Sequence, residues 1–480
     1  MSNRNSTKTL LMTFGAVFAL SACNGADRVA SPGEGAFPPP PPPTQPPPPP
    51  PPPPPPSGGP AADCPQGFAN VGTIANMRNC QLPPKIVGNL VVPKRDGTIY
   101  SLNGRVDVGD DQGGNANAPV AGAQRGILTI EPGVTVFGSA GLDYLVVNRG
   151  SQLFAEGTAT APIVFTSRQS VEGQTNADSI GQWGGLVLLG RAPISNCPGT
   201  TQPGTATCEA QVEGTNAFYG GNQPADNSGR MRYMRVMHSG FQILPNNELN
   251  GITLAGIGNG TVFEYVQVHN SSDDGFEWFG GTVNGRYLVA TGNDDDSFDT
   301  DVGFNGSIQF GIVVQRASGG DRMNEMSASD RQPFTNPKIA NVTMVGRPGR
   351  GTGIVLNTGN NTQYYNMVVT GSDACLDIDN SNTRGSFDSV FFSCATPFTD
   401  DADNQAANTF NAGSNNVANG TSSLTGTFVN GPNESARPAF ANLPSVSPFF
   451  QQVDYIGGVR DANDNWWRGW TCGLTSDTPC

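Results

Sequence analysis

The sequence predicts an all-β chain built as a parallel β-helix, and three observations carry that expectation. The stretch Tyr265-Val-Gln-Val-His-Asn-Ser-Ser-Asp-Asp-Gly-Phe-Glu is matched without a gap by Tyr287-Leu-Val-Ala-Thr-Gly-Asn-Asp-Asp-Asp-Ser-Phe-Asp, 22 residues later. An alternating apolar strand followed by a polar turn, repeated at such an interval, is the pattern of one solenoid coil stacked on the next. The same interval separates Tyr365-Asn-Met-Val-Val-Thr-Gly-Ser from Phe387-Asp-Ser-Val-Phe-Phe-Ser-Cys. Finally, 62 glycines among 480 residues, with only 14% charged residues, suit turn-rich β structure better than helices.

The chain opens with residues that read as an export signal. Arg4 and Lys8 precede the apolar run Leu10 to Leu20, and Leu20-Ser-Ala-Cys23 has the form of a bacterial lipobox. In that reading residues 1–22 are removed and Cys23 carries the acyl lipid (palmitate), which holds the protein at a membrane without spanning it. An ordinary signal peptide with an incidental cysteine is the other reading. Asn24 stands where inner-membrane retention often uses Asp, so the outer membrane is expected, at the cell surface, with its periplasmic face as the alternative. Removing Met1 to Ala22 moves the formal net charge from -14 to -16. That acidity argues against nucleic acid as a partner and favours cations, or an acidic polymer met through divalent ions.

Residues 23–60 form a lipid-anchored linker, since Pro38 to Pro56 is proline except for Thr44 and Gln45. Such a run is a disordered stalk without a core, extended in polyproline II to about 60 Å at about 3.1 Å per residue. Residues 61–85 are expected to cap the helix, 86–403 to form it, and 404–480 to make a loop-rich C-terminal cap. With Cys23 lipidated, eight cysteines remain in an exported chain. Their proximity favours Cys64 with Cys80, Cys197 with Cys208, Cys375 with Cys394, and Cys472 with Cys480. Zinc is the weaker reading, because no C-x-x-C occurs and the only histidines are His238 and His269.

Strands are expected at Ile86–Val92, at Thr98–Leu102 and at Ile127–Val136, where apolar residues alternate around Pro132-Gly133. Tyr144-Leu-Val-Val reads as a repeat of Ile127 onward, 17 residues later. Residues 161–167 and 183–190 each have the length of one strand. Ile194 to Asn227 breaks the rhythm and reads as a projecting loop. Met231–Ser239 resumes it, matching the Tyr265 segment 32 residues on, and Ile308–Gln315 and Ile339–Val345 continue. The aromatic stretch Val453 to Cys472 is expected to cap the open end, which would otherwise expose a sheet edge.

The repeat places Asp273 over Asp295, Asp274 over Asp296 and Glu277 over Asp299, about 4.8 Å apart. Carboxylates at that spacing must take up protons or share a cation. Calcium suits the set Asp273, Asp274, Glu277, Asp295, Asp296, Asp299 and Asp301, because it accepts many oxygens in loose geometry whereas zinc prefers His and Cys. Two other readings stand beside it. Asp274, Asp296 and Asp299, with Arg286 or Arg316 as a base, could serve a glycoside hydrolase or polysaccharide lyase; or the acids could merely cap turns. His269 is a general-acid candidate or a structural histidine. Phe276 and Phe298 share one repeat position and belong inside, while Trp278 is either an exposed sugar platform or is packed under a loop.

Trp183-Gly-Gly-Leu-Val-Leu-Leu-Gly, Asp273-Asp-Gly-Phe-Glu-Trp-Phe-Gly-Gly-Thr-Val, Asp295-Asp-Ser-Phe-Asp-Thr-Asp and Val453-Asp-Tyr-Ile-Gly resemble a family of bacterial surface proteins and lipoproteins. The resemblance covers Ile86 to Thr471 and implies a right-handed parallel β-helix similar to the pectate-lyase superfamily; no activity comes with it. The sequence departs from that pattern at Arg322-Met-Asn-Glu-Met-Ser-Ala-Ser-Asp330, which puts a third acidic layer in doubt. The expected function is therefore a calcium-stabilised surface lipoprotein that binds a polysaccharide or an outer-membrane protein, in adhesion, envelope structure or nutrient capture. The alternative is a polysaccharide lyase or glycoside hydrolase using the aspartate ladder.

Overall fold

The computed structural model describes residues 58–244, 247–328, 331–399, 404–475 and 477–480. The export signal, Cys23 and the proline run lie outside the described residues. The rest is a parallel β-helix made of a 17-stranded and an 11-stranded sheet. Each coil lays a strand in the longer sheet, turns, and lays a shorter strand in the other. Gly285–Thr291 is thus followed by Phe298–Asp301, and Ser307–Val314 by Asn324–Met326. Pairing with the coils before and after is parallel throughout these strands.

The longer sheet folds into two faces along a column of residues with left-handed backbone. Tyr233, Tyr265, Tyr287, Phe310 and Asn341 have φ of 49°, 56°, 60°, 62° and 54°, and each is passed over in the strand register. A side chain in that region is strained by about 1–2 kcal/mol. Stacking offsets the strain: the rings lie 4.3 Å (Tyr233–Tyr265), 4.3 Å (Tyr265–Tyr287) and 5.0 Å (Tyr287–Phe310) apart, nearly parallel. The first repeat seen in the sequence, Tyr265 over Tyr287, is this column.

Inside, side chains alternate by strand parity. Phe263, Phe276, Trp278, Phe298, Leu288 and Ile308 belong to one continuous core, and fully burying each contributes about 1.5–3 kcal/mol. The register Phe276 over Phe298 and Glu277 over Asp299 is the expected one, as is the pairing of Met231 with Phe263 at an offset of 32.

Two expected offsets are corrected. Tyr364, not Tyr365, lies over Phe387, because that coil is 23 residues long. The strand Tyr144–Val147 does not stack on Gly126–Ile130: it belongs to the shorter sheet, and Gln152–Glu156 stacks there instead, 25 residues on. Strands of different faces carry the same alternation, so the 17-residue interval lies within one coil.

The ends also differ from expectation. Met77–Gln81 pairs in parallel with Thr98–Leu102, so coiling begins before Ile86; Ala69–Ile74 adds an antiparallel edge to it. The last coil is covered by the short helix Gln405–Asn411, whose Phe410 stacks 4.4 Å from Phe392. The aromatic stretch from Val453 does not cap that end. It runs back along the outside of the longer sheet. Phe449 reaches Arg286, Gly457 returns to Asn366, and a second pass ends with Trp470 edge-on to Tyr233 and Tyr265 at 6.1 and 6.0 Å.

Two glutamines bind this strap as a neighbouring strand would. Gln309 accepts from the Gln451 N–H (2.7 Å) and donates to its carbonyl (2.8 Å); Gln267 does the same with Cys472 at 2.9 and 2.6 Å. All four disulfides join the expected cysteines.

Candidate acidic site under the insertion

Residues 194–227 do not project. Cys197, Cys208, Val212 and Tyr219 pack flat on outward residues of the shorter sheet, among them Val146, Val187, Leu189 and Phe279. A two-residue antiparallel pairing, Ala210–Gln211 with Phe218–Tyr219, stiffens the lobe. It lies beside the acidic ladder and brings Glu213 to it.

On the shorter sheet Phe276 and Trp278 point inward, so Glu277 between them points out. Asp299 follows in register on the next coil and Glu325 on the one after. The turns preceding these strands supply Asp273, Asp274, Asp295 and Asp296, and Asp301 closes the strand that carries Asp299. Asp274 Oδ1 accepts the Asp296 N–H at 2.9 Å, and Asp296 Oδ1 accepts the Arg322 N–H at 2.6 Å, so each acid pins the following coil. Glu277 accepts from Asn250 Nδ2, which also lies 3.4 Å from Glu213 Oε1.

Three groups offer ligand oxygens within 4.8 Å of one another: Asp273, Asp274 and Asp295; Asp274, Glu277 and Asp299; and Asp295, Asp296 and Asp321. Asp274, Glu277 and Asp296 are buried, whereas Asp295 is exposed and Asp273, Asp299 and Asp301 are half-buried.

Burial, with neighbouring carboxylates adding to it, pushes the seven ladder acids and Glu213 upward. Asp273 rises to about 7, through burial first and then the charges of Glu213 and Asp295. Asp274, Glu277, Asp296 and Asp299 lie well above the usual range. Glu213, Asp295 and Asp301 are also raised. None of the seven ladder acids forms an ion pair among the described residues; the nearest pairs are Arg316 with Asp294 and Arg322 with Asp321. Asp299 Oδ1 is shielded from solvent and has no donor. The donor set therefore fits a hard cation, which would supply the positive charge that these oxygens lack.

Other candidates fall elsewhere. Arg286 lies in the longer sheet, 3.4 Å from Glu264 and over the Phe449 ring, so the structure does not bring it to the ladder. Trp278 is 1% exposed, which corrects its reading as a sugar platform: it stacks with Phe276 and Phe304 at 5.8 and 5.5 Å. Standing two residues after Phe276, it shares that residue's inward face. His269 and Arg316 sit together at another corner of the coils.

Sequence reasoning missed Asn250, Glu213 and Glu325. Glu325 carries the third acidic layer despite the departure at Arg322, and its signal was legible: Asn324-Glu-Met alternates as Phe298-Asp-Thr does. A search of curated proteins and a search of solved structures each returned no match. Residues 107–471 match the pectate-lyase like beta helix domain, and with the coil register and the two long parallel sheets this establishes that the chain belongs to that family.

Proposed function

We propose that the chain is a lipid-anchored surface β-helix whose acidic cluster holds calcium, and that it binds a polymer or a partner protein without turnover. The observation that carries this reading is the convergence of Glu277, Asp299 and Glu325 from three successive coils with Glu213 from the insertion, with no ion pair to a basic side chain among the described residues. A bound calcium would tie the coils to one another and the insertion to the coils, through oxygens that otherwise take up protons. Anchoring rests on the Cys23 lipobox, and display on the proline run after it. Roles in adhesion, envelope structure or nutrient capture all use such a surface.

The alternative, a polysaccharide lyase or glycoside hydrolase acting through Asp274, Asp296 and Asp299, is disfavoured by burial. Two of the three are closed off from a polymer, and Arg286 is not available as their base.

The test combines calcium titration with a panel of acidic and neutral polysaccharides, on the native chain and on Asp296→Asn. The proposal expects a calcium-dependent rise in Tm that the variant weakens, with at least one polymer or envelope protein retained and no new oligosaccharide by mass spectrometry. Cleavage products that vanish in the variant would establish the enzyme instead. A Tm indifferent to calcium would remove the metal from the account. Replacing Cys23 with Ser should move the protein from the membrane fraction to the soluble one; no movement would overturn the anchor.

A further inference from the structure

On the side of the coils that carries both histidines, a cavity of about 440 Å³ opens between the corner at His238, Asn270 and Gly292 and the loop closed by the Cys472–Cys480 disulfide. Its volume lies in the range of small-molecule sites, about 300–1,000 Å³. Four side chains give it chemistry.

His238 is 1% exposed, and its Nδ1 sits 2.7 Å from the Ser179 carbonyl. A carbonyl only accepts, so Nδ1 carries the proton and Nε2 presents a lone pair. That Nε2 is buried and has no partner. His269 stands edge-on to it at 5.7 Å, held by Thr291 Oγ1 at 2.8 Å. Burial lowers both imidazoles, His269 to about 3, so both are neutral.

The following coils contribute Arg316 and Arg347. Arg316 Nη2 binds Asp294 at 2.7 Å, but its Nη1 is buried without an acceptor. Arg347 donates through Nε to the Gln315 carbonyl at 3.2 Å and forms no ion pair among the described residues. Two residues that line the cavity thus carry, respectively, a buried donor lacking an acceptor and a buried acceptor lacking a donor. Each such group destabilises the fold for as long as it is unmet.

We propose that this cavity binds a small hydroxy acid of monosaccharide size, whose carboxylate is taken by Arg316 Nη1 and Arg347 and whose hydroxyl donates to His238 Nε2. One ligand of that class satisfies both orphan groups and also brings a negative charge to Arg347; a neutral sugar's hydroxyls meet the two orphans but bring no charge, and a fully ionised simple anion brings charge but no donor for His238. The site lies apart from the acidic ladder and does not need its calcium.

The test uses the full chain and D-glucuronate as probe, with D-glucose and inorganic sulfate as controls, each with and without calcium. Binding is read by calorimetry and by the nitrogen shifts of the imidazoles, easily assigned because the chain has 2 histidines. The expected result is saturable glucuronate binding that moves the His238 Nε2 signal. Glucose and sulfate should bind at least about tenfold more weakly, and Arg347→Met should weaken glucuronate by about tenfold, as loss of one charged hydrogen bond implies. Because the shift is read on the native chain, a variant that fails to fold leaves the proposal open to refutation. It is overturned if glucuronate at about 50 mM, a concentration that would detect even weak binding, moves neither imidazole. It is equally overturned if glucose binds as well, if Arg347→Met changes nothing, or if the imidazole pair responds only to a transition-metal ion.

Discussion

Asp299 and Glu325 are register partners on adjacent strands of the shorter sheet, with Glu277 in the same column one coil earlier. Ionised together at strand spacing they repel, and a shared cation reverses the sign of the interaction. Replacing Asp299 with Asn should therefore have opposite effects in two buffers. In chelator the Tm should rise by a few degrees, an effect on the order of 1 kcal/mol; in calcium it should fall by a similar amount. Calorimetric melts read both, and equal shifts of one sign would count against a cation at this position.

A pH dependence follows from Asp273. Its folded-state pKa of about 7 lies above the ordinary 3.8, so the folded chain holds more protons than the unfolded one between those values. The stability attached to that proton is complete below the unfolded value and is lost as pH rises through about 7. In chelator the Tm should decline from about pH 4.5 to about pH 8, and saturating calcium should flatten the decline. A profile that is flat in chelator would show the carboxyls to be better solvated than their burial implies.

The disulfide Cys197–Cys208 holds the lobe that carries Glu213. Changing both cysteines to serine frees a loop whose closure contributes about 2–4 kcal/mol. Calcium affinity, measured by calorimetry, should fall about tenfold while the far-ultraviolet circular dichroism of the β-helix stays the same. Unchanged affinity would confine the metal to the coils alone.

Trp470 meets the tyrosine column edge-on, and Trp470→Ala should release the final pass of the strap. Truncating a buried aromatic costs about 3–5 kcal/mol. Limited proteolysis should then cut within residues 460–475 well before the coils. Protection equal to that of the native chain would mean that the Gln267 clamp on Cys472 holds the segment without the ring.

The coil register around Asp273 to Asp301 was legible because an aromatic, an acid and a left-handed tyrosine recur together, leaving one alignment without a gap. At Tyr364-Tyr365 two adjacent aromatics made either alignment plausible. Only the structure distinguishes the inward ring on Phe387 from the outward one. Trp278 was misassigned for want of applying strand parity from Phe276. Glu213 had no signal: it reaches the ladder through an insertion whose folding back depends on apolar contacts far apart in sequence. The strap was hidden for the same reason, since Gln267 and Cys472 are 205 residues apart.

That separation has a kinetic consequence. A solenoid held only by nearest-neighbour coils can nucleate anywhere and fray from either end. Here Gln451 and Cys472 close on coils laid down 142 and 205 residues earlier, so those coils reach their finished state only after the strap has emerged. Loop closure over so long a span slows folding. Once made, the closure couples distant coils, and a chain truncated before Trp466 would leave the tyrosine column bare, an aromatic stripe open to association with other chains.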